Sequence, residues 1–168
     1  MTKFTTQFLS LSIFALLTLT GCSTVSRNEP ADNKLYLTVQ DAASGVKPIT
    51  SLVYGRFVNV KISDFSPALS IGKSSNRYEV ASVNGKEKQP FSISVTSICD
   101  CLGFNKWQIS PIAYLTTSTG EIVASSPIQG SVIAPLSGVF PKSAEYRVVV
   151  IANAAYTDRI LYWLDPPE

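Results

Sequence analysis

Three thiols, those of Cys22, Cys99 and Cys101, are the most reactive side chains of this sequence. In Cys99-Asp100-Cys101 the two sulfurs fall on one face of an extended chain, with Cα atoms about 6.5–7 Å apart, at the upper edge for a disulfide. A turn between Ile98 and Gly103 brings them closer, so a local Cys99–Cys101 bridge is the first expectation, and intermolecular bridges or free thiols are the second. Metal binding comes last, because two sulfurs without imidazole make a poor site and the chain has no histidine. The same absence removes Ser-His-Asp triads and histidine acid/base catalysis. Gly72-Lys73-Ser74 ends as a phosphate-binding loop ends, but Pro67 stands where the pattern needs its first glycine. Ser70-Ile71-Gly72-Lys73 has the Ser-Lys spacing of penicillin-binding enzymes, yet an extended chain at Gly72 points the two side chains apart, and the companion Ser-Asp-Asn and Lys-Thr-Gly elements are missing. The 12 carboxylates are scattered, and nothing in the sequence pairs two of them for glycosidase-like chemistry. The reading is of a non-enzyme with no cofactor and no metal.

Cys22 has a different setting. Lys3 precedes an apolar run, Phe8 to Leu19, that is too short and too interrupted by Ser and Thr to span a membrane. The run closes in Leu19-Thr20-Gly21-Cys22, which resembles the lipobox of bacterial lipoproteins. The resemblance implies that residues 1–21 are a signal peptide, that Cys22 becomes the first mature residue, and that its thiol receives diacylglycerol carrying palmitate-like chains. Each buried methylene contributes about 0.8 kcal/mol, so two or three acyl chains anchor firmly where one binds marginally. Ser23 follows rather than aspartate, and in Gram-negative lipoproteins this implies the outer membrane, facing the periplasm. The polar stretch Ser23 to Lys34 has a tether's composition; fully extended it would reach roughly 40 Å, at about 3.3–3.6 Å per residue. Residues 22–34 are thus expected as a lipidated tether and residues 35–168 as the folded domain.

The elements of that domain follow from a period of two. The chain is 45% hydrophobic and 15% charged, which suits one globular domain, and its 14 basic against 12 acidic groups make no field for nucleic acid. Phe91, Ile93 and Val95 alternate with Ser92, Ser94 and Thr96, as on a strand with one wet face. Further strands are expected over Phe57 to Ile62, Arg77 to Val83, Trp107 to Leu115, Glu121 to Ala124, Ile128 to Ala134, Tyr146 to Ile151 and Arg159 to Leu164. Turn signals separate them at Ser66-Pro67, Asn84-Gly85, Gln89-Pro90, Ser118-Thr119-Gly120, Ser126-Pro127, Ala134-Pro135 and Phe140-Pro141. Helical turns are expected only at Leu52 to Arg56 or Ala152 to Thr157. The predicted fold is all-β, an antiparallel β-sandwich of jelly-roll type. Trp107 and Trp163, with Tyr114, Tyr146 and Tyr162, are the rings that could meet a ligand, although aromatics on strands more often pack in the core.

Three stretches resemble the maltose operon periplasmic protein family, known as MalM. They are Phe65-Ser66-Pro67-Ala68-Leu69-Ser70-Ile71-Gly72-Lys73-Ser74 with the strand after it, Ile109-Ser110-Pro111-Ile112-Ala113-Tyr114-Leu115 with the Gly120 turn, and Glu145-Tyr146-Arg147-Val148-Val149-Val150-Ile151 with Tyr156-Thr157 beyond. The resemblance implies a periplasmic β-sandwich without agreed catalytic residues, in the setting of carbohydrate transport. Two functions are expected. One is a membrane-anchored, non-catalytic accessory module with an envelope protein partner. The other is a glycan-binding lipoprotein linked to sugar uptake, which exposed, coplanar rings at Trp107 or Trp163 would favour.

Overall fold

The structure, a computed structural model, describes residues 24–30, 34–71, 74–98, 111–126, 132–152 and 158–167. The expected site residues Cys22, Cys99, Cys101 and Trp107 lie outside them. In chain order the elements are β1 (Thr24–Val25), β2 (Leu35–Tyr36), α1 (Val39–Gly45), β3 (Thr50–Ser51), β4 (Phe57–Ile62), β5 (Ala68–Ile71), β6 (Ser74–Gly85), β7 (Pro90–Ile98), β8 (Ile112–Thr117), β9 (Ile122–Ser125), β10 (Ile133–Val139), β11 (Ala144–Ala152) and β12 (Asp158–Leu164).

Two sheets form a sandwich. One has five strands in the order β1-β4-β12-β7-β10; the other runs β2-β5-β6-β11-β8-β9, with β3 also paired to β6. Setting aside β1, β2, β3 and β5, which extend the two sheets beyond β4 and β6, the first, eighth, third and sixth of the remaining strands share one sheet and the second, seventh, fourth and fifth share the other. This is the jelly-roll order, so the β-sandwich expectation holds. The principal ladders are antiparallel. The sheets are nevertheless mixed, because β1, β2 and β3 each pair in parallel with β4, β5 and β6.

Burial explains the two kinds of sequence pattern. Between the sheets, Val60, Ile93, Val95, Ile160 and Leu164 meet Ala81, Val83, Leu115, Val148 and Val150. On the far side of the larger sheet, Tyr36, Ala42, Ala43 and Val46 cover Leu69, Tyr78, Val80, Val149 and Ile151. Strand β11 is therefore buried on both faces, and Val148-Val149-Val150-Ile151 is continuously apolar. Strand β7 has one covered face and alternates.

Among the described residues the helix stands at Val39–Gly45; of the two expected positions, Ala152 to Thr157 lies outside the described residues from 153 onward. Thr38 caps it: its hydroxyl accepts from the Asp41 backbone N–H at 3.0 Å and donates to the Asp41 carboxylate at 2.7 Å. At the other end the Arg147 guanidinium donates to the carbonyls of Ala43 and Val46, a cation where the helix dipole is negative. Leu52 to Arg56 instead contains a turn with Gly55 at φ 68°.

Two turn expectations are corrected. Pro135 lies inside β10 rather than ending a strand there; β10 is an edge strand, the place where a sheet tolerates the missing N–H of proline. Asn84 and Gly85 continue β6, and the chain reverses over Lys86 to Gln89, with Lys88 at φ 61°. The Gly120 turn holds as expected: Gly120 has φ 94°, and a Cβ there would stand 2.5 Å from the Gln40 carbonyl oxygen.

Residues 24–27 also differ from a free tether. Thr24 and Val25 pair with Asn59 and Val60, so the chain joins the edge of the five-stranded sheet eleven residues before the expected domain start at residue 35.

Candidate functional site

Of the three cysteines and two tryptophans expected at a site, only Trp163 is among the described residues. On β12, Ile160, Tyr162 and Leu164 point into the core, which turns Leu161 and Trp163 outward. The register sets Trp163 directly opposite Phe57 on β4, and on its other side opposite Ser94 on β7. The Phe57 and Trp163 rings lie 4.4 Å apart, centre to centre, at 37°. Phe57 is 54% exposed, whereas Trp163 is half-buried. The Trp163 indole N–H donates to Asp165 at 2.6 Å. Hydrogen bonds from Ser92 and Trp163 hold the Asp165 carboxyl below the usual carboxylate range. The two rings partly cover one another and do not lie side by side as a flat platform. This pair offers an apolar corner rather than an open pair of parallel faces.

Tyr146 and Tyr162 are fully buried, and Tyr114 is half-buried. Tyr146 serves the fold: its hydroxyl donates to the Lys142 carbonyl at 2.7 Å and accepts from the Lys142 N–H, pinning the approach to β11. The Tyr162 hydroxyl finds no hydrogen-bond partner among the described residues. Its pKa is raised by burial and then by the charge of Glu79.

A second cluster lies toward the opposite end of β4. Glu79 is an inward-facing residue of β6 whose side chain is fully buried. Arg27, just beyond β1, reaches it with Nε 3.0 Å from both carboxylate oxygens and Nη2 2.9 Å from Oε2. Ser66 donates to Oε1 at 2.6 Å, while its own hydroxyl accepts from the Ser63 N–H. Arg77 donates to the Ser66 carbonyl at 2.7 Å. Burial raises the pKa of Glu79; the hydrogen bonds and charge of Arg27 and the hydrogen bond of Ser66 oppose the rise without cancelling it. Beside this cluster opens a cleft of about 300 Å³, lined by Ser26, Arg27, Lys61, Ser63, Asp64 and Phe65.

The chemistry of the cluster is that of a latch. Both oxygens of Glu79 are occupied by donors, and the carboxylate holds two things together: the N-terminal segment through Arg27 and the Ser63 to Ser66 turn through Ser66. Sequence reasoning placed Arg27 in a tether and passed over Glu79. The signal available was one acidic residue at an inward position of the apolar run Tyr78 to Val83. Its partner, 52 residues away, had no local signal.

No family model and no curated protein matches the chain. Among solved structures it is similar to the pre-peptidase C-terminal domain of a collagenase from Bacillus anthracis, at 12% identity and a TM-score of 0.48, over 69% of this chain and 93% of that one. It is also similar to PliG, a periplasmic inhibitor of g-type lysozyme from Aeromonas hydrophila, at 11% identity and a TM-score of 0.34, over 69% of this chain and 96% of that one.

Proposed function

We propose that this chain is a lipoprotein of the outer membrane, facing the periplasm, anchored through acylated Cys22 and acting as a non-catalytic interaction module of the envelope. The observation that carries the reading is the position of β1. At Thr24, two residues after the cysteine of Leu19-Thr20-Gly21-Cys22, the chain is already paired into the sandwich. Lipid on that thiol would thus be attached close to the edge of a folded sheet. The resemblance to the MalM family supports a periplasmic setting. The exposed Phe57 with its half-buried neighbour Trp163 supports contact over recognition by a deep pocket.

Detergent phase partitioning of the expressed full chain tests the proposal. Wild type should appear at mature size in the detergent phase. Cys22→Ala should yield no acylated, mature-size form, because the thiol is the acceptor for the lipid. A Cys22→Ala protein that is processed to mature size and still partitions into detergent would refute it.

A further inference from the structure

The exposed aromatic corner and the proposed anchor lie at the same end of the sandwich. Strand β1 runs parallel to β4, with Thr24 opposite Asn59 and Val25 opposite Val60. The chain therefore enters β1 from the Phe57 end of β4. Cys22 is two residues upstream of Thr24, a distance of at most about 7 Å at 3.3–3.6 Å per residue. Acyl chains on Cys22 would hold this end of the five-stranded sheet within reach of the bilayer surface. Phe57 and Val53, 54% and 47% exposed, stand at this end, and Trp163 lies directly against Phe57. The indole is oriented by its 2.6 Å hydrogen bond to Asp165. An apolar ring with a polar handle is the side-chain type that settles at a membrane interface.

Resting on the anchoring proposed above, we infer that the Phe57–Trp163 corner is a membrane-seating surface: with Cys22 acylated, these two rings lie in the interfacial layer of the same bilayer and fix the orientation of the sandwich on it. The charges at this end do not select the lipid. Arg56, Lys86, Lys88 and Lys142, at the strand ends that meet there, face Glu87, Glu145 and Asp165, four cations against three anions, which leaves a single net positive charge. Seating then depends on apolar contact and the covalent anchor, and anionic lipid is not required. The cleft beside Arg27 and Lys61 lies toward the other end of β4 and remains turned away from the bilayer.

The test uses the acylated full-length mature protein in phosphatidylcholine vesicles. The chain has two tryptophans, so Trp107→Phe leaves Trp163 as the sole reporter; if that variant does not fold, the difference between wild type and Trp163→Phe gives the same signal. Trp163 emission should shift to the blue and fall when brominated phosphatidylcholine replaces the unbrominated lipid. Iodide should quench it less than in an unacylated Cys22→Ser protein, and Phe57→Ser should weaken the lipid quenching while leaving the protein on the vesicles. Vesicle-bound protein whose Trp163 is untouched by brominated lipid overturns the seating and leaves the anchor standing. Protection from iodide without lipid quenching assigns the corner to a second copy of the chain and also overturns it. A chain that carries no acyl group overturns the anchoring reading, and the seating with it.

Discussion

Replacing Arg27 with alanine should destabilise the sandwich by about 3–5 kcal/mol, the usual cost of removing one partner of a buried ion pair. Glu79 is fully buried, while Arg27 is 18% exposed and supplies its only salt bridge among the described residues. Without the guanidinium the carboxylate keeps only Ser66 as a side-chain donor, and it must either stay charged without a counter-ion or take up a proton. The pH dependence has a definite sign. The folded pKa of Glu79 is raised by burial, so its contribution to stability is fully present below the unfolded carboxylate pKa and is lost as pH rises through the raised folded value. Removing Arg27 raises the folded value further. The difference between wild type and Arg27→Ala should be greatest near neutral pH and shrink in acid. Urea denaturation of the unacylated protein from residue 22 onward, at several pH values, measures both. The double variant Arg27→Ala/Glu79→Gln should recover part of the loss, because it removes the buried charge. A cost below about 1 kcal/mol that does not change with pH is that of an exposed pair and would contradict the latch. By the same logic, a fragment beginning at Leu35 lacks both β1 and Arg27 and should be less stable than one beginning at Thr24.

Phe140→Ala should cost a similar amount, about 3–5 kcal/mol. Phe140 is fully buried, with its ring 4.7 Å from that of Phe91 and 4.8 Å from that of Tyr146. Gly85 lies beneath it, where an added Cβ would come within 2.4 Å of the ring. Gly85→Ala should therefore cost about 1–3 kcal/mol through overpacking. The two losses should not add. Once the Phe140 ring is gone, a methyl at position 85 enters the space it leaves, so the double variant should fall short of the sum by roughly 0.5–3 kcal/mol, the range for residues in contact. Denaturation of the four members of this cycle checks it; strict additivity would mean that the ring shifts freely and that Gly85 is not there to admit it.

The same contact shows why some of the fold was legible from sequence and some was not. Where one face of a strand is wet and the other dry, the pattern is local. The expected strand Phe57 to Ile62 coincides with β4, and Phe91 to Thr96 lies within β7. Position 85 was misread because glycine serves turns and close approaches alike, and the ring that demands a glycine there is 55 residues away in sequence. Pro135 was misread because only the strand order reveals it to be on an edge. Helix α1 has seven residues, too few for a helical period to stand out. Of the candidate site, Trp163 was found as an aromatic at a strand position, but its partner Phe57 required the β4–β12 register. The Arg27–Glu79 pair was invisible for the same reason: long-range charge pairing leaves no trace in spacing.

What is attached to Cys22, two residues before β1, decides whether the sandwich is held at a membrane. Mass spectrometry of the N-terminal peptide, released from protein extracted from membranes of cells expressing the full chain, measures it directly. The predicted peptide begins at Cys22 and carries a diacylglycerol thioether, with or without a further acyl group on its amine, so that Thr24 of the sheet follows the lipid by two residues. A mature peptide that begins elsewhere, or that begins at Cys22 with an unmodified thiol, would contradict it.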